Sequence, residues 1–270
     1  GRDGVGTVID VGEDADEWAL GDRALLLRSD VGVGRHGTFA EKVAVPVESL
    51  TTIPPGWSEQ QAAAAPLVYL TAYQALTQFG ELPPQQIILI TGASGGVGVA
   101  VIHLARAMGH TVVAMSRGAA KVPALLGLGA HAVFDPNDPT WRKKMKQQLT
   151  GRRVNLAIDN IGGALFSDVI DSLDHDGKVS CVGRLAGPVP QFNTASLFFR
   201  RITIRGVHVG DYTPPEAQAA WAATLKLLDA AGVKPVIDRV FPFEQLIDAF
   251  ERLRQGPLGK VLIEVQRLSS

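Results

Sequence analysis

Gly92, Gly95, Gly96 and Gly98 fall within Thr91-Gly92-Ala93-Ser94-Gly95-Gly96-Val97-Gly98. Glycines at this spacing strip side-chain bulk from a turn and let backbone N–H groups approach an anion. The chemistry open to such a turn is the holding of a phosphate or pyrophosphate. Gly92 and Gly95 permit a sharp bend with no Cβ in the ligand's way, and Gly98 lets a following helix lie close on the preceding strand. The flanks give the motif its weight. Ile87-Ile88-Leu89-Ile90 ahead of it is a short apolar, β-branched run. Behind it Val97, Val101, Leu104, Ala105 and Met108 recur at helical spacing. Strand, glycine turn and helix N-terminus in that order form the context of a dinucleotide site. A strand–helix turn in some other α/β protein is the alternative.

The next segment bears on which dinucleotide. No Asp or Glu occurs from Leu82 to Phe134. A second strand, Thr111-Val112-Val113-Ala114-Met115, runs into Ser116-Arg117, with Lys121 four residues on. An NAD site places a carboxylate at the end of this strand to accept the ribose hydroxyls. Here cations stand in its place, and a 2′-phosphate would be held by Ser116, Arg117 and Lys121. The expected cofactor is NADPH (NADP+) rather than NADH. Solvated surface charge is the plainer fate open to Arg117 and Lys121.

These residues need a scaffold, and the pattern from Gln86 onward supplies one. Strands are expected at 86–91, 111–116, 131–134, 154–159, 177–182 and 202–207, with helices at 97–108, 119–127, 140–149 and 163–173. Six strands with crossover helices make a parallel, doubly wound sheet. Between the fifth and sixth strands only a loop rich in Gly, Pro and Asn is expected. Before this region, glycine and β-type residues dominate to about Val47, with strands read at Gly1–Gly12, Ala24–Leu27 and Gly37–Val45. A helix capped by Ser58 is expected to Ala65, and another after Pro66 carries Leu67 to Phe79. After the sheet come a helix at 215–231, a strand near 236–240, a helix at 243–254 and a strand at 260–265. This tail is expected to rejoin the N-terminal β-rich part.

Composition removes other classes. The chain of 270 residues is 46% hydrophobic and 20% charged with net charge −1, so nothing favours nucleic acid or an anionic membrane as partner. No apolar run approaches the ~20 residues of a spanning helix. Cys181 is the one cysteine, so no internal disulfide forms and a cytoplasmic location is expected. Six scattered histidines show no ligand spacing.

Taken in order, these segments resemble the medium-chain dehydrogenase/reductase superfamily, and within it the zinc-free quinone oxidoreductase and enoyl reductase branch. The matching pieces are Gly1-Arg2-Asp3-Gly4-Val5-Gly6, Leu20-Gly21-Asp22-Arg23, Gly37-Thr38-Phe39-Ala40-Glu41, Gln61-Ala62-Ala63-Ala64, Leu70-Thr71-Ala72-Tyr73, Gly92 to Gly98, Asp159-Asn160-Ile161-Gly162-Gly163 and Gly259-Lys260-Val261. The resemblance implies an α/β fold in which a Rossmann domain, 71–208, is inserted in a GroES-like catalytic domain, 1–70 and 209–270. It also implies that the catalytic domain's first strands precede Gly1.

The resemblance further implies site residues. Gly95, Gly96, Val97 and Gly98 would contact the pyrophosphate, and Ser116, Arg117 and Lys121 the 2′-phosphate. Asn160, Ile161 and Gly162, with Gly183 and Arg184, would line the ribose and nicotinamide. Thr71 would hydrogen-bond the nicotinamide, and Lys260 matches a cofactor-side lysine. A strand-end turn is the other reading of Asp159 and Asn160. Relatives often carry a Tyr after the third strand; Pro136 stands here. Zinc-dependent members have Gly-His-Glu where this chain has Gly1-Arg2-Asp3, and arginine offers only donors, so no metal is expected. Without a Lewis acid, hydride transfer favours a conjugated acceptor, a quinone or an α,β-unsaturated carbonyl. The alternatives are a non-catalytic NADPH-binding sensor or structural protein and, less favoured, a zinc alcohol dehydrogenase. No general acid is assigned; Thr71 and Asn160 are positioning candidates. A homodimer joined through the sixth strands is expected from relatives.

Overall fold

The computed structural model describes residues 1–13, 15–27, 30–188 and 190–265. The chain divides into two compact units, Gly1–Leu70 with Val209–Ser270, and Thr71–His208. In the first, β1 (Gly4–Thr7), β2 (Arg23–Leu26) and β3 (Leu50–Thr52) form an antiparallel sheet in that order. Ser58 caps α1 (Glu59–Ala63) in a capping box: its hydroxyl accepts from the Gln61 N–H (3.1 Å) while the Gln61 side chain accepts from the Ser58 N–H (2.9 Å). α2 (Pro66–Thr77) follows, with Pro66 at a first-turn position where its missing N–H costs nothing.

The alternation from Gln86 onward builds the second unit. Its elements are β4 (Ile87–Ile90), α3 (Gly96–Ala107), β5 (Thr111–Met115), α4 (Val122–Gly127), β6 (Ala132–Phe134), α5 (Trp141–Gln148), β7 (Val154–Asp159), α6 (Leu165–Ser172), β8 (Leu173–Cys181), α7 (Ala195–Arg200) and β9 (Thr203–Gly206). All six strands pair in parallel, in the order β6-β5-β4-β7-β8-β9. That is the doubly wound order whose reversal point, between the neighbouring strands β4 and β7, opens a crevice at the strand carboxyl ends. Every residue of β4 is buried on both faces, as a central parallel strand requires. Trp141 and Met145 of α5, with Phe166, Val169 and Ile170 of α6, complete the core against Leu89, Val113 and Val179.

Beyond β9 the chain returns to the first unit. α8 (Pro214–Ala231) starts from a second capping box, Thr213 with Glu216, and ends at Gly232 in the left-handed region (φ 64°). β10 (Ile237–Pro242), α9 (Leu246–Arg254) and β11 (Lys260–Glu264) complete it, with β10 and β11 paired in parallel as a separate two-stranded sheet.

Three expectations are corrected. Gly37–Val45 is not a strand: a ladder needs a partner, and this stretch instead bonds to the chain start through the Thr38 N–H on the Gly1 carbonyl (3.1 Å) and the Thr38 hydroxyl on the Asp3 carbonyl (2.6 Å). The connection between β8 and β9 contains α7, six residues long and held by tertiary bonds: Ser196 Oγ donates to Asp171 Oδ1 (3.2 Å) and Arg200 Nη1 to the Leu173 carbonyl (2.8 Å). Val189 of the same connection lies outside the described residues. β8 begins at Leu173, four residues early, because a register shift with Asp176 in the left-handed region (φ 57°) absorbs a polar run that does not read as strand.

Candidate functional site

The glycine turn leaves β4 at Thr91 and bends at Gly92, whose φ of 64° suits glycine. The Ala93 N–H donates to the Met115 carbonyl (3.0 Å), tying the turn to the end of β5. Gly95 is the N-cap of α3 with no side-chain cap, and the first intrahelical bond runs from the Val99 N–H to the Gly95 carbonyl (2.9 Å). The N–H groups of Gly96, Val97 and Gly98 therefore precede the helical ladder, at the positive end of the helix dipole. The glycines differ in what they are for. A Cβ on Gly98 would stand 2.4 Å from the Ala93 carbonyl oxygen, so the fold itself needs this glycine to seat α3 on the turn. A Cβ on Gly95 would meet only the Gly92 carbonyl oxygen, at 3.5 Å. The fold tolerates a side chain there; an anion drawn up to the N–H groups would not.

The loop after β5 carries the expected cations, and one of them reaches this turn. Ser116 is buried, its N–H on the Phe134 carbonyl (3.0 Å). Arg117 is exposed and forms no ion pair among the described residues. Lys121 Nζ reaches Ser94 Oγ of the glycine turn (3.2 Å), closing a gap of 27 residues. One participant escaped the sequence reading. Asp135, the first acid after the carboxylate-free stretch, receives the Gly118 N–H (3.0 Å) and the Asn137 N–H (2.9 Å) on its two oxygens. Its place directly after a third strand, level with the loop after the second, is the signal that could have found it.

The ends of β7 and β8 form a third group. Asp159 is 1% exposed, and its carboxylate accepts from the Thr91 hydroxyl (2.6 Å), the Ile161 N–H (3.1 Å) and the Gly162 N–H (3.0 Å). The Thr91 hydroxyl in turn accepts from the Asn160 N–H (2.9 Å), and Asn160 Nδ2 donates to the Thr91 carbonyl (2.8 Å). Asp159 and the Asn160 amide thus serve first as the clamp that fixes the strand-end turn. Gly183 packs on that turn so closely that a Cβ would stand 2.6 Å from the Asn160 carbonyl oxygen. Arg184 is exposed beside it, and the Ala186 N–H closes onto the Ile161 carbonyl (2.8 Å). Cys181 ends β8; burial, helped by the Asp159 charge, pushes its thiol up to about 11.

Gly95 to Gly98, Ser116, Arg117, Lys121, Asn160 to Gly162, Gly183 and Arg184 therefore all sit at the carboxyl ends of β4, β5, β7 and β8 in one unit, where open parallel sheets bind ligands. Thr71 is buried on α2. Lys260 belongs to the other unit, where its ammonium is held by Asp3 Oδ2 (3.0 Å) while Asp3 Oδ1 accepts the Leu67 N–H of α2 (2.9 Å). Tyr69, on the same helix, has its phenol raised above the usual range by burial. Among the described residues no cluster of three or more His, Cys, Asp or Glu could hold a metal ion, and no helix is long and apolar enough to cross a membrane.

Residues 96–230 match the family model described as zinc-binding dehydrogenase. The chain is 30% identical over 283 residues to the human synaptic vesicle membrane protein VAT-1 homolog, spanning 97% of this chain and 70% of that protein. It is 29% identical over 265 residues to quinone oxidoreductase of Sus scrofa, spanning 97% and 78%. The structure of Escherichia coli quinone oxidoreductase complexed with NADPH superposes with a TM-score of 0.85 at 24% identity, over 97% of this chain and 81% of that one.

Proposed function

The chain belongs to the medium-chain dehydrogenase/reductase superfamily, in its quinone oxidoreductase branch, and from that premise we propose that it transfers a hydride from NADPH to a quinone or an α,β-unsaturated carbonyl without zinc. It is an oxidoreductase with Rossmann and GroES-like parts. In the proposal residues 71–208 bind the dinucleotide, and 1–70 with 209–270 serve the substrate. The observation that carries the cofactor reading is the Lys121–Ser94 contact, which sets a cation of the second βα loop against the glycine turn of the first.

The residues fit the group. With no side chain on Gly95, and only the Gly92 carbonyl oxygen at 3.5 Å from where a Cβ would stand, a diphosphate approaches the helix start, and the N–H groups of Gly96, Val97 and Gly98 donate to it. Ser116, Arg117 and Lys121 neutralise the 2′-phosphate by charge-assisted bonds. When bound, the dihydronicotinamide supplies the hydride. Asp159 keeps Asn160, Ile161 and Gly162 in the fixed turn against which the ribose and nicotinamide rest, Gly183 and Arg184 flank it, and the Thr71 hydroxyl orients the carboxamide. Positioning of this kind, together with exclusion of water, is what a conjugated acceptor needs from the protein. Lys260 adds a cofactor contact on the strength of the family resemblance.

Zinc independence rests on the donor set. Arg2 has no lone pair to give, and both Asp3 oxygens are already engaged by Lys260 and the Leu67 N–H. A cytoplasmic homodimer completes the proposal, with β9, an edge strand exposed along its whole length, as the joining element. The test is NADPH oxidation followed at 340 nm against a panel of quinones and enones. Turnover with members of the panel is expected. Intact NADPH binding with no turnover across the panel would replace the enzyme by a nucleotide-binding sensor, and about one tightly held Zn per chain would reinstate alcohol dehydrogenase chemistry.

A further inference from the structure

The loop from Ser116 to Lys121 carries the cations assigned to the 2′-phosphate, and it is pinned at three points. The Ser116 N–H is held by the Phe134 carbonyl, the Gly118 N–H by Asp135 Oδ2, and the Lys121 ammonium by Ser94 Oγ. The middle pin is the only one of the three that rests on a carboxylate. It acts where the backbone is least restrained, because Gly118 has a φ of 78° and a Cβ there would meet nothing within 4 Å. The bond to Asp135 ties the bend at this point. The other Asp135 oxygen takes the Asn137 N–H, so the carboxylate is itself anchored to the turn after β6. Arg117, next to the pinned residue, is exposed and makes no ion pair among the described residues, so its direction follows from the backbone on either side.

We propose that Asp135 is a positioning residue that sets NADPH selectivity by clasping Gly118 and so presenting Arg117 to the 2′-phosphate. This rests on the reading of Arg117 as a 2′-phosphate contact. The sign of the effect separates it from plain electrostatics. An acid near a phosphate repels it, so removing a carboxylate with no positioning role strengthens NADPH binding relative to NADH. Removing a clasp weakens it despite the lost negative charge.

Isothermal titration of the full chain with NADPH and with NADH, for wild type, Asp135→Ala, Arg117→Ala and the double variant, decides the matter. Asp135→Ala is expected to lower the NADPH-over-NADH preference about tenfold with NADH affinity unchanged, and the double variant to be no worse than Arg117→Ala, as coupled residues behave. Should the alanine variant fail to fold, Asp135→Asn, which keeps one acceptor oxygen and loses the charge, is expected to show a smaller loss in the same direction. An unchanged or raised preference in a folded Asp135 variant, beside a lowered one in Arg117→Ala, overturns the clasp and leaves the 2′-phosphate reading standing. No change in preference for Arg117→Ala overturns both.

Discussion

Single residues separate the needs of the fold from those of the ligand. Gly98→Ala drives a methyl into the Ala93 backbone and is expected to cost about 1–3 kcal/mol in urea unfolding, as overpacking does. Gly95→Val leaves the fold in place and abolishes cofactor binding; titration showing unchanged affinity in a folded variant would contradict the assigned pyrophosphate position. Arg117→Ala is expected to weaken NADPH by about 1.5–3 kcal/mol and NADH hardly at all. Cys181, with its thiol held near 11, should alkylate with iodoacetamide far more slowly at pH 7 than a free cysteine, since the thiolate is the reactive form. A fast reaction would show that the thiol is neither buried nor shadowed by Asp159.

Among the elements, α3 carries a pH signature. His103 is 3% exposed, and burial, then Arg106, lowers its pKa to about 4. Between the unfolded value near 6.5 and that figure, the unfolded chain takes up a proton that the folded chain refuses. Stability therefore falls as pH drops through this window, by on the order of 3 kcal/mol in all, and does not respond above it. His103→Leu should flatten that slope in urea melts at pH 7 and pH 4.5; an unchanged slope would assign it to other groups. The elements also show what a sequence displays. β4 is a continuous apolar run because both faces are covered, and β5 and β7 are nearly so, with Thr111 opening the one and Asn155 and Asp159 the only polar residues of the other, so composition and length name them directly. α7 has fewer than two turns, too few for a helical period to appear, and its stability comes from Arg200 and Ser196 bonding to residues far back in the chain. Gly37–Val45 has strand composition and no strand, because composition cannot supply a ladder partner. The glycine turn was legible for the same reason that it works, since its constraints are local. The Thr91–Asp159 bond of the clamp, the Gly118–Asp135 bond and the Asp3–Lys260 pair join residues 17 to 257 positions apart, and no local pattern announces them.

For the molecule as a whole, chain order places a dinucleotide-type sheet between two segments that form a unit of their own. β9 closes the sheet with exposed backbone edges, and sedimentation is expected to show a dimer that a proline at Ile204 dissociates; a monomeric wild type would remove β9 from that role. Isothermal titration of the wild-type chain with NADPH and NADH side by side tests the proposed cofactor site most directly. Binding of both, with NADPH at least about tenfold tighter, is the result expected of a glycine turn flanked by Ser116, Arg117 and Lys121. Absence of heat with either cofactor, or equal affinity for the two, would contradict it.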